Sequence, residues 1–158
     1  MAGKIEGPKI KKIIEMFEGK YKIESSLSCA KSGCIKSALP KNSKNPDDNG
    51  IYEPDVILRK NNDIEAIIEI ETDPVRKTLV GACIMADYCI ETDQPGEKAK
   101  LFFIIGDPRS KSGKEGLKQF PDFEKREVIA KQYVKNVCID FIRGDNEWMK
   151  ELKKKMNL

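Results

Sequence analysis

The 158-residue chain is long enough for one domain that buries roughly 70% of the surface of its unfolded form. Charged residues make up 35% of the sequence, and no apolar run approaches the ~20 residues of a membrane span, so we expect no membrane association. The net charge of +3 does not by itself indicate a nucleic-acid partner, and the lack of histidine excludes Ser-His and Cys-His catalysis. No apolar signal core follows Met1, and this together with the odd number of cysteines, five, favours reduced thiols in the cytoplasm.

The first predicted elements are a helix and a short strand. The helix covers residues 8–18 and ends at Gly19, and the strand covers residues 20–25. Residues 26–50 then form a long connection rich in Ser, Lys, Asn and Gly, which either reaches a substrate or is a surface loop without a role. The apolar face of the helix consists of Ile10, Ile13, Ile14 and Phe17.

A β-hairpin is predicted next, from two β-rich runs at residues 56–60 and 64–71. The residues between them, Asn61-Asn62-Asp63, are typical of a turn, because Asn and Asp tolerate left-handed backbone angles. A three-residue loop pairs Lys60 with Ile64. A two-residue loop would slip the register by one and turn Asp55 away from Glu69.

The three-residue loop brings acidic side chains together. It places Asp55 opposite Glu69 and Glu53 opposite Glu71, and directly opposed Cβ atoms lie about 4.5–5.5 Å apart. Glu69 and Glu71 share one face of their strand at about 6.7 Å. The pattern therefore predicts that Asp55, Glu69 and Glu71 converge.

An alternative interpretation is an ordinary half-buried strand whose glutamates face water, since Ile68-Glu69-Ile70-Glu71 alternates apolar and acidic residues. Two observations favour a site. Ile67, on the glutamate face, is apolar, so that face is not simply solvated. In addition, Pro54-Asp55 begins the partner strand at the matching position.

The remaining elements alternate helix and strand. A helix over residues 73–90 begins with Asp73 as N-cap and Pro74 at its first position, and residues 101–105 are typical of a strand buried on both sides. The last predicted elements are a helix at residues 123–134, a strand at 137–142 and a helix at 145–156. A candidate homodimer surface on the last helix consists of Trp148, Leu152 and Met156.

Cationic residues are clustered in a predicted Gly- and Ser-bearing loop before the helix at 123–134. This loop is a candidate phosphate clamp for nucleic acid, because each phosphate neutralised adds a salt-dependent contribution to binding. The alternative is an ordinary lysine-rich surface. The cationic residues of the loop are Arg109, Lys111, Lys114 and Lys118.

The pairing of Pro54-Asp55 with Glu69-Ile70-Glu71 resembles the motif of the PD-(D/E)xK nuclease superfamily, whose members include many restriction endonucleases. This resemblance implies an α/β fold, a restriction endonuclease-like mixed β-sheet flanked by helices in the order α-β-β-β-α-β-α-β-α, as a single domain over residues 1–158. It also implies an endonuclease that hydrolyses DNA with Mg²⁺ or Mn²⁺.

In the resemblance, Asp55 and Glu69 bind the cation, with the Ile70 carbonyl as a further ligand. Glu71 stands where most members have lysine, although a subset of restriction enzymes is similar in using Glu there. Glu71 would then orient or deprotonate the attacking water, or hold a second metal. Candidate auxiliary residues are Glu18, Glu53, Arg76 and Lys77.

Two other classes of protein remain open. The first is a catalytically inactive DNA-binding or assembly module of the same fold, which the Glu71 substitution permits. The second is an unrelated α/β protein whose acidic strand is merely exposed.

Overall fold

The computed structural model of the protein describes residues 6–26, 52, 54–72 and 76–158, and within them it contains four helices and five strands. In chain order the elements are α1 (Glu6–Phe17), β1 (Lys22–Ser25), β2 (Val56–Lys60), β3 (Asp63–Glu71), α2 (Arg76–Asp93), β4 (Ala99–Ile105), α3 (Lys111–Ala130), β5 (Val137–Arg143) and α4 (Trp148–Lys155). This is the predicted order, and it confirms the α/β class with a mixed sheet flanked by helices.

The five strands form one sheet in the order β1-β2-β3-β4-β5. The β1–β2 and β2–β3 pairs are antiparallel, whereas β3, β4 and β5 run parallel. The carboxyl ends of β3, β4 and β5 therefore lie side by side, with Glu71 paired to Ile105 and Ile105 to Arg143. This shared edge carries the polar groups that concern function.

Apolar side chains alternate between the two faces of the sheet, and helices cover both. One core contains Phe103 of β4 together with side chains of α2 and α3, and the other contains Phe102 with side chains of α1 and α4. The prediction that residues 101–105 are buried on both sides is confirmed. None of the described helices has the length and apolar character that crossing a bilayer requires.

The candidate dimer surface on the last helix is a wrong prediction. Trp148, Leu152 and Met156 are 4%, 0% and 3% exposed, because they pack against the sheet beside Ile104 and Ile142. Their helical spacing marks the side of α4 that faces the core.

Helix α3 begins at Lys111 instead of residue 123, so the predicted loop containing Lys111, Lys114 and Lys118 is wrong. Ser110 caps the helix, since its Oγ accepts a hydrogen bond from the Gly113 N–H at 2.9 Å. Gly113 is buried within α3, and the position requires glycine because a Cβ there would lie 2.3 Å from the Asp107 carbonyl oxygen. The buried face continues through Leu117, Phe120 and Phe123.

The hairpin reaches the predicted register by an unpredicted route. Its loop has two residues, Asn61 and Asn62, both in the left-handed region at φ 52° and 72°, and Lys60 pairs with Asp63. A β-bulge shifts the register by one residue between Arg59 and Leu58, so Glu65 of β3 has no partner on β2. Further from the turn the pairing is regular again, and Val56 pairs with Ile68. The three-residue loop is wrong, but the bulge restores the pairing that this loop predicts near Asp55.

The turn gives a direct test of this geometry. Asn62→Val should lower the free energy of unfolding by about 1–2 kcal/mol, because a β-branched residue is strained at positive φ, whereas Asn62→Gly should match the parent protein. The Asn62 side chain is exposed, so little else changes. Urea unfolding of the three proteins measures the difference. Equal stability of the valine variant would contradict the assigned turn.

Candidate functional site

Asp55 and Glu69 meet where β2 begins and β3 ends. The Asp55 N–H donates a hydrogen bond to Glu69 Oε2 at 3.2 Å, and the Ile70 N–H donates to Asp55 Oδ2 at 2.8 Å. The bulge makes this contact possible, because it keeps Asp55 beside Glu69 across the strand pair. The structure therefore brings two of the three predicted acidic residues into contact, with Glu71 two residues further along β3.

Tyr52 holds the other oxygen of Glu69. Its hydroxyl donates to Glu69 Oε1 at 2.6 Å, and both residues are only 8% exposed. Both carboxylate oxygens of Glu69 thus have a donor, which fixes its rotamer. Sequence reasoning missed Tyr52 as a site residue; the available signal was that a buried tyrosine hydroxyl needs a hydrogen-bond partner.

Burial makes ionisation of these carboxylates costly. Burial raises the pKa of Asp55 to about 6, against the opposing hydrogen bond from the Ile70 N–H. Burial and the charge of Asp55 raise the pKa of Glu69 to about 8, although the Tyr52 hydrogen bond opposes the shift. Burial, Asp55 and Glu6 together raise the pKa of Glu71 to about 7. Ionisation of one of these carboxylates therefore makes ionisation of its acidic neighbours less favourable.

Glu6 is a fourth acidic group beside this cluster. It lies in the first turn of α1, and its charge raises the pKa of both Asp55 and Glu71. The auxiliary residue predicted on this helix, Glu18, is exposed just past its other end, about 18 Å away along the axis. Glu6 was missed because the predicted helix began at Pro8.

Lys9 ties α1 to the same edge of the sheet. Its ammonium group donates to the carbonyl oxygens of Gly106 and Gly144 at 2.9 and 3.0 Å and lies 3.0 Å from Asp107 Oδ2. Lys9 is only 4% exposed, so all three of its contacts are buried. Burial lowers the pKa of Lys9, although Asp107 opposes the shift.

Asp107 also binds Arg109. The Arg109 N–H and Nε donate to Asp107 Oδ1 at 2.9 and 2.8 Å, and a second guanidinium nitrogen lies 2.6 Å from Oδ2. Burial alone would raise the pKa of Asp107, but the hydrogen bonds from Arg109 and Lys9 hold it well below its usual range. The Gly106 N–H donates to the Glu71 carbonyl at 2.8 Å, which joins this cluster to the acidic one.

The predicted phosphate-clamp residues follow β4. Arg109 lies in the turn that leads into α3, and the three lysines are exposed along α3, where Lys118 contacts Glu115 at 3.5 Å. Glu53 lies outside the described residues, and so do the side chains of Arg76 and Lys77. Their predicted roles stay predictions.

The acidic cluster matches a hard cation in the chemistry of its donors. Carboxylates and a backbone carbonyl are oxygen ligands of the kind that Mg²⁺ takes. Ser26 lies beside Asp55, because its N–H donates to the Asp55 carbonyl at 2.9 Å and its side chain lowers the pKa of the Asp55 carboxyl. Within the described part of the chain, no three acidic, Cys or His side chains are placed closely enough to enclose a metal ion.

Two arrangements therefore lie side by side on the carboxyl edge of β3, β4 and β5. One is an acidic cluster of Asp55, Glu69 and Glu71 held by Tyr52, and the other is an ion-paired cluster around Asp107. No protein family, curated protein or solved structure matches this chain.

Proposed function

We propose that the protein is a Mg²⁺- or Mn²⁺-dependent endonuclease that hydrolyses phosphodiester bonds of DNA on a restriction endonuclease-like fold. The observation that carries this proposal is the contact between the half-buried Asp55 and the buried Glu69, with Glu71 nearby and with no Lys or Arg ion-paired to any of the three among the described residues. Buried carboxylates without a cationic partner are costly, and a bound divalent cation would offset that cost.

The residues divide the chemistry among them. Asp55 and Glu69 would hold the cation, with the Ile70 carbonyl as a further ligand. When bound, the cation supplies Lewis-acid stabilisation of the phosphate and a water of lowered pKa. Tyr52 orients Glu69 through its hydroxyl.

Glu71 is suited to a general base. Without a bound cation, burial and the charges of Asp55 and Glu6 raise its pKa to about 7, and a general base is most effective when its pKa lies near the working pH. It would accept the proton of the attacking water. This role does not need the lysine that most members of the resembled superfamily carry at the same motif position.

Cleavage of plasmid and branched DNA tests the proposal. With Mg²⁺ or Mn²⁺ the parent protein should cut, Asp55→Asn and Glu69→Gln should not, and Glu71→Gln should lower the rate about 10²- to 10⁴-fold. Glu97→Gln, at an exposed position, is the matched control and should cut at the parent rate. Cutting that persists in Asp55→Asn and Glu69→Gln would overturn the assignment of these residues.

The second candidate is a DNA-binding or assembly module of the same fold without chemistry. The observation that favours it is that the described residues do not enclose a metal ion. Binding of DNA without metal-dependent cutting, unchanged in Asp55→Asn and Glu69→Gln, would support the module and contradict the nuclease.

A further inference from the structure

A small pocket opens on the same edge of the sheet as the acidic cluster, between the first turns of α1 and the ends of β4 and β5. Its volume is about 130 Å³. Gly144 closes its floor so tightly that a Cβ there would lie 2.1 Å from the Gly106 carbonyl oxygen. The charged side chains that line it are Lys9, Lys12, Asp107, Arg109 and Asp145.

The charges of this pocket are unequally matched. Asp107 is buried against Lys9 and Arg109, and Asp145 forms an ion pair with Arg143 at 3.1 Å. Lys12 forms no ion pair with any residue that the structure describes. The pocket lining carries three cations against two carboxylates, and Arg143 from outside the lining also pairs with Asp145, so the charge balance is positive and favours an anionic ligand.

The ammonium group of Lys9 is not the binding group, because its contacts with two carbonyls and Asp107 occupy it. Lys12 is exposed, and the Arg109 side chain is 51% exposed at the rim. Lys9 therefore shapes the floor, whereas Lys12 faces a ligand that enters from solvent and Arg109, held by Asp107, adds positive charge at the rim.

The spacing between pocket and acidic cluster fits a nucleic-acid strand. Glu6, beside the acidic cluster, and Lys12, in the pocket, are six residues apart on α1, about 9 Å along its axis. This distance corresponds to about two to three base-pair steps, because the rise per nucleotide along the axis of a DNA duplex is about 3.4 Å. Across the sheet, Glu71 ends β3 next to Ile105 of β4, and adjacent strands lie about 4.8 Å apart.

We propose that this pocket binds a backbone phosphate of a DNA strand, a few nucleotides from the phosphodiester at Asp55 and Glu69. The identity of the ligand rests on the proposed function. The shared chemistry is a phosphate group, which a nucleic acid or free inorganic phosphate can supply. In this assignment Lys12 and Arg109 replace the lysines of α3 as the phosphate-binding residues.

Binding without metal separates this proposal from catalysis. A fluorescently labelled oligonucleotide is titrated with protein in EDTA at several salt concentrations, and anisotropy gives the affinity. Lys12→Ala should weaken binding about five- to tenfold at 0.1 M salt and reduce the slope of log K against log salt by about 0.7–0.9. Arg109→Ala should act in the same direction.

Lys11→Ala is the matched control, because Lys11 is the exposed neighbour on α1 and does not line the pocket. It should bind within about twofold of the parent protein. Lys12-dependent binding by a protein that cuts no DNA would support the pocket and contradict only the nuclease. Equal affinity of the Lys11 and Lys12 variants, or no binding by the parent, would overturn the pocket.

Inorganic phosphate distinguishes the two sources of the ligand. Phosphorus NMR line broadening by the protein, lost in Lys12→Ala, together with failure to bind oligonucleotide, would identify free phosphate and overturn the DNA assignment. Competition of millimolar phosphate with bound oligonucleotide at the same residue would support it.

Discussion

Glu69→Gln should make the metal-free protein more stable at pH 8 while it removes the affinity for Mg²⁺. The folded state raises the pKa of Glu69 from 4.5 to about 8, so it holds the proton more tightly than the unfolded chain does. The free energy of unfolding is therefore highest at low pH in this window and falls as pH rises from about 4 to about 8. Glutamine does not ionise, so the variant loses the contribution of Glu69 to this decrease in the free energy of unfolding, which amounts to a few kcal/mol.

The substitution preserves the local hydrogen bonds. The glutamine carbonyl can accept from the Asp55 N–H, and its amide can donate to the Tyr52 hydroxyl oxygen. Asp55 and Glu71 also have raised pKa values, of about 6 and about 7, so some decline with pH should remain. Asp107 contributes in the opposite direction, but only in acid, because its pKa is lowered.

Urea unfolding at pH 5 and pH 8, with EDTA or Mg²⁺, measures both effects. The parent protein should gain about 2.7 kcal/mol when Mg²⁺ is 100 times its dissociation constant, and Glu69→Gln should gain nothing. Glu97→Gln, at an exposed position, should follow the parent in all conditions. Identical pH curves for the parent and Glu69→Gln would contradict the buried carboxylate described above.

Lys9→Met should lower the free energy of unfolding by about 3 kcal/mol. Methionine fills similar space, but it leaves the carbonyls of Gly106 and Gly144 without their donor. It also leaves Asp107, which is 1% exposed, with Arg109 as its remaining cationic partner among the described residues. The loss comes from buried polar groups whose partner has been removed.

Lys11→Met provides the comparison, because the same change at the exposed neighbouring position should alter stability by less than about 0.5 kcal/mol. The double variant Lys9→Met/Asp107→Asn should be less destabilised than the sum of the two single variants, since each removes the same interaction. Equal urea midpoints for Lys9→Met and Lys11→Met would show that the buried ion pair contributes no stability.

Local patterns predicted most of the secondary structure. The apolar run at residues 101–105 indicated a doubly buried strand, and Asn61-Asn62 indicated a turn, because these signals lie within a few consecutive residues. Helix α3 was shortened in the prediction because Gly113 and Gly116 suggest a loop. Gly113 is required instead by the close approach of α3 to the backbone of Asp107, a contact that the sequence does not display.

The candidate site was partly predictable for the same reason. Asp55 and Glu69 lie in one hairpin, so pairing rules relate them. Glu6 and Lys9 come to the edge from α1, and their position depends on how that helix crosses the sheet. Periodicity indicates which face of a helix is buried, but not which end of the helix lies over the carboxyl ends of the parallel strands. The predicted auxiliary acidic residue of α1 was therefore Glu18 instead of Glu6.

The unpaired Glu65 has a consequence for how the hairpin can change during evolution. Because Glu65 has no partner on β2, β3 has one residue more than β2 between the Asn61-Asn62 turn and the pair formed by Val56 and Ile68. Deleting Glu65 would leave the Asn61-Asn62 turn intact and rotate the far half of β3 relative to Asp55. Related chains that retain the site must therefore balance any single insertion or deletion in one arm with another in its partner.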